Sequence, residues 1–422
     1  MNRKPTPLVP FALLPAILLP VAACREQTDR TTHLSSQVQG NLKVRDIRVL
    51  ILENVDQFSL RIDGPFVVRN PAAGKLADGQ TLPWSTVSRA TGDFTVGDWR
   101  WTAGTLEIVP LQGTRVLLWR LDGGKWVGPL AYAGYVRCTR RTASTMNIIN
   151  VVDLDTYVTG VVASEIYADF HGEAFRAQAV ASRTYALWQM ARNTTSAFDV
   201  RATEASQVYG GIPTGPGAAK ARDAADHTRG IVCTWPSPRG ERLFCTYYSS
   251  ACGGLTQSVS NALQSRDITP LSGSVRCNYC SIAQKRGNAY RWGPASVNKA
   301  DLSRNLAEHD PSFRTIGAVD RVEVGSRTPS GRLASIRVIG TTGTQRTLKA
   351  EEFRLAAGPR VMRSTDCQVE DVGRTVQFSD GRGFGHGVGM CQWGMEGQAA
   401  LGRRADQILK FYYPGMNLTR AY

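Results

Sequence analysis

The sequence predicts an α+β protein: a β-rich N-terminal module followed by a mixed α/β core. Three observations carry this. Short β-type runs punctuated by Gly fill residues 41–150. An Ala-rich segment without internal Gly or Pro begins at Gly172. Beyond about residue 240, strand-like runs, Gly turns and short helical segments alternate. With 422 residues, 42% of them hydrophobic, the chain can bury a sizeable core in two or three structural units.

The first element is not part of that fold. "MNRKPTPLVPFALLPAILLPVAAC" places Arg3 and Lys4 before an apolar run and small residues directly before Cys24. Residues 1–23 read as a secretory signal peptide of the lipoprotein kind, cleaved before Cys24, whose sulfur would carry the lipid. Residues 24–40 are polar and read as a tether. The protein is therefore expected in the cell envelope, exported and held at a membrane through lipidated Cys24. Removing residues 1–23 takes away Arg3 and Lys4 and no acid, so the net charge falls from +15 to +13. Most of the 50 basic residues are Arg, whose planar fork suits carboxylates and phosphates. An anionic envelope polymer or membrane surface is the expected partner. No zinc-finger spacing, Walker loop or basic–aromatic run is present, so nucleic acid is not.

"IRVLILENVDQFSLRI" (47–62) reads as two strands, the second alternating, and "GDFTVGDWRWTAGTLEIVPLQGTRVLLWRL" adds short β runs. "NIINVVDL" (147–154) is a hydrophobic strand that closes the module. The core follows over residues 151–422. "GEAFRAQAVASRTYALWQMARN" (172–193) reads as a helix with Phe175, Ala179, Ser182 or Arg183, Ala186 and Met190 at helical spacing. "ERLFCTYYSSACGGLTQSVS" (241–260) reads as strand, Gly turn, strand. A loop-rich and β insertion is expected around 262–370, with β runs over 319–348 and a short helix in "AEEFRLAAG". The chain ends in two short helices broken at Gly402 and stopped by Pro414-Gly415.

Eight of the nine cysteines follow Cys24. An even count in an exported chain favours disulfides. Cys277 and Cys280 in "CNYC" have metal-ligand spacing without a second CxxC or a nearby His pair, so a disulfide is favoured over zinc there.

Two segments could carry chemistry. "GRGFGHGVGMCQWG" (381–394) has glycines at a spacing of two, which on a strand would line one face and leave it free of side chains. It fits neither a dinucleotide loop nor a nucleophile elbow. Glu165, in "GVVASEIYADF", lies between an apolar segment and a helix. Apolar surroundings raise a carboxyl pKa and suit it to donate a proton near neutrality. A cap or ion-pair role at the same helix is the alternative that residue types alone leave standing.

These segments carry a resemblance. "VDLDTYVTGVVASEIYADFHGEAFRAQAVASRTYAL" resembles the signature of the SpoIID/LytB family of bacterial cell-wall proteins, on Tyr157, Gly160, Val161, Ser164, Glu165, Ala177, Gln178, Ala179, Arg183, Thr184, Tyr185 and Ala186. "SQVYGG", "YYSSACGGLT", "SGRLASIRVIG" and "GFGHGVGMCQWGMEGQAALG…ILKFYYPG" resemble further family segments in the right order, over roughly residues 41–420. The resemblance implies a SpoIID-like core and a lytic transglycosylase that cleaves the MurNAc–GlcNAc bond of peptide-free peptidoglycan glycan strands and forms 1,6-anhydroMurNAc. It equally implies an alternative, a non-catalytic glycan-binding enhancer of a cell-wall amidase, with that amidase as partner. The catalytic role falls on Glu165, and Gln178, Arg183, Tyr248, Ser250, His386 and Gln392 are candidate substrate-binding residues. Glycosidases that activate water need two carboxylates, whereas ring closure by the sugar's own C6 hydroxyl can be served by one.

Two departures from the family pattern matter. Some members bind zinc through Cys and His just before Gln-Val-Tyr; here Arg201, Ala205 and Ser206 stand in that stretch, so no metal is expected there, and no cofactor. Cys391 and Cys252 replace residues of two motifs expected to line one cleft, which suggests a Cys252–Cys391 disulfide.

Overall fold

A computed structural model describes residues 44–422 except 123–124, 238–239, 264 and 287–289. The expected signal peptide, lipidated Cys24 and tether lie outside the described residues.

The N-terminal module is two antiparallel sheets packed on one core. Alternation decides which face turns inward: the strand Gln57–Ile62 alternates half-buried and buried residues, with Phe58, Leu60 and Ile62 fully enclosed. One sheet has six strands, ordered Lys125–Tyr132, Val116–Asp122, Gln57–Ile62, Leu82–Ala90, Asp93–Val96 and Trp99–Trp101. The other has seven and runs from Val200–Arg201 through β1 (Ile47–Val55), Met146–Val152, Tyr135–Arg140, Thr105–Pro110 and Phe66–Asn70 to Gly74–Gly79. Its end strand Val200–Arg201 comes from the following core and pairs in parallel with β1. Asp199, just before it, is fully buried and receives hydrogen bonds from Arg45 (2.7 and 2.8 Å) and Arg48 (2.7 and 3.2 Å). Burial works to raise its pKa, but those two guanidinium groups hold it below the usual carboxylate range. Module and core are thus bolted at this edge.

Met146–Val152 is buried at every position, because the strand has sheet on both sides and the helical core over one face. It feeds directly into α1 (Leu154–Glu165), whose N-cap Asp153 accepts a hydrogen bond from the Thr156 N–H at 3.0 Å. Leu154, Tyr157, Val158, Val161 and Val162 are buried, so the helix is held rigidly up to its last residue, Glu165.

The expected helix at 172–193 is α2 (Gly172–Arg192). The one-faced periodicity read from the sequence is not how it packs. Residues all round its circumference are buried, among them Ala177, Gln178, Ser182, Arg183 and Thr184. Alanine lets neighbouring elements close on every side, so α2 is the central post of the core, not an amphipathic cover.

The strand expected after Gly253-Gly254 does not form. Leu255 and Gln257 make isolated bridges to Arg276 and Val388, and the chain turns into a short helix, Val259–Ala262, capped by Ser258. Residues from Trp292 to Phe378 surround a second core. It contains the hairpin Val319–Arg327 and Leu333–Gly340, its neighbour Gln345–Lys349, and the helices Lys299–His309 and Ala350–Ala357. The two terminal helices are Gln392–Ala400 and Ala405–Tyr412, the first starting earlier than its sequence pattern indicates.

The glycine stretch is not a smooth strand face. Gly383, Gly385, Gly387 and Gly389 have φ of +81°, +98°, +71° and +68°, a left-handed position at every second residue. The resulting zigzag lies along residues 247–251: a Cβ on Gly383 would come within 2.5 Å of the Ala251 carbonyl. A parallel pairing of Tyr248 with Met390 and Ser249 with Cys391 completes the seam.

Candidate functional site

Glu165 stands where three segments meet: the end of α1, the loop at residues 207–211, and the seam just described. The loop lies flat on α1 because position 160 is Gly; a Cβ there would sit 2.5 Å from the Gly211 carbonyl and 2.6 Å from the Tyr209 ring. That close approach delivers the Val208 N–H to Glu165 Oε1 at 2.8 Å. The Tyr248 hydroxyl donates to the same oxygen at 3.2 Å, and Gln392 Nε2 donates to Oε2 at 3.3 Å. Tyr248 is held in turn: Gln207 Nε2 donates to its hydroxyl oxygen at 3.0 Å, and the buried Tyr157 hydroxyl donates to Gln207 Oε1 at 3.1 Å.

These contacts set the acidity. Burial is the largest influence and raises the Glu165 carboxyl, while Val208, Gln392 and Tyr248 oppose it by hydrogen bonding the carboxylate; the net result is pushed up to about 7. The charge of Glu204 adds a small rise. Glu165 nonetheless keeps part of its surface open to solvent. Among the described residues, no second carboxyl group hydrogen-bonds to it. The arrangement is a single, accessible carboxyl that is substantially protonated at neutrality and whose carboxylate form the same three donors stabilise once it gives up its proton.

Removing one donor checks this electrostatic account. Tyr248→Phe deletes a hydrogen bond that favours the carboxylate, so the Glu165 pKa rises further. The basic limb of any pH–rate profile that the Glu165 carboxyl controls should move upward by about one pH unit. An unmoved limb would show that Tyr248 does not set the acidity of Glu165.

Tyr248 and Gln392 hydrogen-bond to Glu165; Arg183 and Gln178 are buried in the core, and Ser250 and His386 make contacts within the seam beside them. Arg183 is fully buried and turned away. Its Nε and Nη2 donate to Asp155 Oδ1 at 2.9 and 2.8 Å, and its remaining donors go to Thr228 and to the Ala225 and Ile231 carbonyls. It cannot meet a glycan, because every donor is consumed inside the core. Gln178 is also fully buried; its Nε2 donates to Ser182 Oγ at 3.1 Å. Ser250 contributes its carbonyl, which accepts the Trp393 N–H at 3.0 Å. His386 is fixed by its own loop: the Val388 N–H donates to its Nδ1 at 3.0 Å, and its ring meets Tyr247 edge-on. Burial lowers the His386 pKa, against the Glu351 charge and a hydrogen bond to the Tyr248 backbone, and that bond ties the ring to the segment that carries Tyr248.

Several contributors escaped the residue-type reading. Val208 acts through its backbone, which leaves no mark in a sequence. Gln207 lies within "SQVYGG", a segment that carried the resemblance but no assigned role. Tyr167, two residues after Glu165 and 48% exposed, packs on Trp393 with ring centroids 5.3 Å apart, and Phe170 meets the same Trp at 5.0 Å. This aromatic cluster, with Tyr167 exposed over the buried Trp393 and Phe170, adjoins Glu165 and Gln392 in the chain; "EIYADF" was its only signal.

The expected Cys252–Cys391 disulfide is not formed. Cys252 and Cys391 are buried thiols without a disulfide. The two residues are neighbours, with the Cys252 N–H donating to Cys391 Sγ at 3.2 Å, but Cys277 and Cys280 join them, so four sulfurs share one pocket.

Comparison with known proteins fits this geometry. The sequence profile described as stage II sporulation protein, SpoIID, matches residues 142–235, which hold α1, α2 and the Val208 loop. A second profile, described as a domain of unknown function, DUF8618, matches residues 269–389. The chain is 32% identical over 301 residues to an uncharacterised protein of Brachyspira hyodysenteriae, covering 71% of this chain and 73% of that one. It is 27% identical over 283 residues to the stage II sporulation protein D of Bacillus subtilis, covering 64% of this chain and 75% of that one. It is 28% identical over 295 residues to the B. subtilis amidase enhancer, covering 62% of this chain and 40% of the relative. The chain belongs to the SpoIID/LytB family.

Proposed function

We propose that the protein is an exported peptidoglycan lytic transglycosylase that cleaves the MurNAc–GlcNAc bond of peptide-free glycan strands. The observation that carries this reading is the single Glu165 carboxyl, raised to about 7 by burial yet held by three donors and open to solvent. One carboxyl can serve both halves of an intramolecular displacement. Protonated Glu165 gives its proton to the glycosidic oxygen as the bond to MurNAc C1 breaks, and the GlcNAc end leaves as an alcohol. The carboxylate so formed is stabilised by Val208, Tyr248 and Gln392, and takes the proton of the MurNAc C6 hydroxyl while that oxygen closes on C1. Glu165 ends protonated and the product carries a 1,6-anhydro ring; no water is consumed.

Tyr167, exposed and backed by the buried Trp393, offers a face on which a sugar ring can stack near the acid. The net charge of +13 that remains without residues 1–23, from +15 for the full sequence, suits a polymer whose peptide-free MurNAc units bear lactyl carboxylates. No helix among the described residues is long and apolar enough to cross a membrane, and attachment in this reading rests on lipidation of Cys24.

The relative named amidase enhancer favours one second reading, a glycan-binding protein that stimulates a cell-wall amidase. Incubation with peptide-free and with peptide-bearing glycan separates the two. The transglycosylase releases 1,6-anhydroMurNAc-ended fragments from the peptide-free strands when incubated alone; an enhancer binds the strands, leaves them intact and raises the rate of an added amidase.

A further inference from the structure

Cys252, Cys277, Cys280 and Cys391 are brought together from three distant parts of the chain. Cys252 follows the Tyr248 segment, Cys277 and Cys280 flank a turn in which the chain doubles back, and Cys391 caps the helix Gln392–Ala400. All four are at most 1% exposed, and their sulfurs lie within 4.8 Å of one another. Cys252 and Cys280 are 3.7 Å apart. Four thiolates at about 2.3 Å from one zinc ion form a tetrahedron with edges of about 3.8 Å. The pocket therefore has the size for one metal ion and lacks room for the several metal and sulfide atoms of an iron–sulfur cluster.

The surroundings suit thiolates. Cys391 Sγ accepts the N–H groups of Cys252 at 3.2 Å and Gly394 at 3.3 Å, and the Tyr412 hydroxyl is 3.1 Å from Cys277 Sγ. A Cβ on residue 394 would stand 2.5 Å from Cys277 Sγ, so only glycine lets the helix approach this closely. Arg332, buried and arriving from the inserted domain, donates to the Cys252 carbonyl and has a second nitrogen, Nη1, without a partner. A buried cation there would offset the double negative charge of a metal held by four thiolates.

We propose that these four cysteines bind one zinc ion as a closed structural site. Binding replaces four S–H bonds by four Zn–S bonds and releases four protons; no oxidant is needed. Four soft sulfur ligands, with no carboxylate or imidazole in the cluster among the described residues, exclude magnesium and calcium as occupants. Full ligation by protein leaves no open position for water or substrate, so the ion's work is mechanical. It pins the segment that carries Tyr248 to the helix that carries Gln392, the two side chains that hold Glu165 across the seam. The proposal stands independently of what Glu165 does, because it concerns metal content alone.

Metal analysis of the full chain, produced in a host that exports it and purified without chelators, tests this. One zinc per chain is expected. Denaturation with chelator and without reductant should then let all four cysteines be alkylated. Cobalt added to metal-stripped chain should give the visible absorption of tetrahedral cobalt thiolate, and Cys280→Ser should weaken or abolish it. Chain without zinc whose four cysteines are recovered in disulfide-linked peptides would overturn the proposal, as would iron in the site. Because the native chain alone decides between these results, an unfolded variant does not obscure them.

Discussion

Replacing Glu165 by Gln is expected to lower the release of 1,6-anhydroMurNAc products by about 10³-fold or more, with glycan binding and thermal stability nearly unchanged. A positioned general acid contributes roughly 10²–10⁴ in rate, and in the proposed reaction one carboxyl acts first as acid and then as base, so both steps fail together. The amide keeps the size of the side chain and can still meet Tyr248 and Gln392. For the wild type the acid form is required at the start, and the Glu165 pKa is pushed up to about 7. Turnover should hold below that pH and fall about tenfold per pH unit well above it, as the protonated fraction declines. A Gln variant with undiminished activity, or an activity that rises through pH 7 to 9, contradicts the assignment.

The second large effect concerns folding. Arg183→Met should cost about 3–5 kcal/mol, the range found when one partner of a buried ion pair is removed. The substitution strips Asp155 of two charge-assisted bonds and leaves the Thr228 hydroxyl and two carbonyls without the donor they share. Arg229, 3.5 Å from Asp155, and the Tyr422 hydroxyl, at 3.1 Å, are too few to compensate. Chemical unfolding should show the loss directly. Replacing Asp155 by Leu in the same chain should recover part of it, because the uncompensated charge is then gone. An Arg183→Met protein of normal stability that no longer binds glycan would return Arg183 to the substrate site.

The comparison of sequence and structure turns on how each residue signals its role. The apolar surroundings of Glu165 were legible because an apolar run ends on it, and the run is the buried face of α1. The segments that bring Tyr248 and Gln392 to Glu165 were legible through their resemblance to family motifs. Arg183 carried the same kind of signal and yet is internal, since its partner Asp155 is 28 residues away and only the α1–α2 packing brings them together. Residue type could not separate a guanidinium that grips a substrate from one that ties two helices. The glycine stretch was legible as a site of close backbone approach, but alternate glycines suggested a flat strand, and positive φ at each of them makes a zigzag instead. The four-cysteine pocket was hidden because no CxxC pair is repeated: two of its cysteines stand alone, 25 residues before Cys277 and 111 residues after Cys280. Read one at a time, they looked like disulfide partners.

The most direct test of the central claim is to digest peptide-free glycan strands in water enriched in oxygen-18 and weigh the products by mass spectrometry. If Glu165 directs the C6 hydroxyl onto C1, the new MurNAc ends are lighter than hydrolysed ends by one water and carry no heavy oxygen. Ends that contain MurNAc with an oxygen-18 label would show that water attacks C1, and the account of a single carboxyl serving an internal ring closure would be wrong.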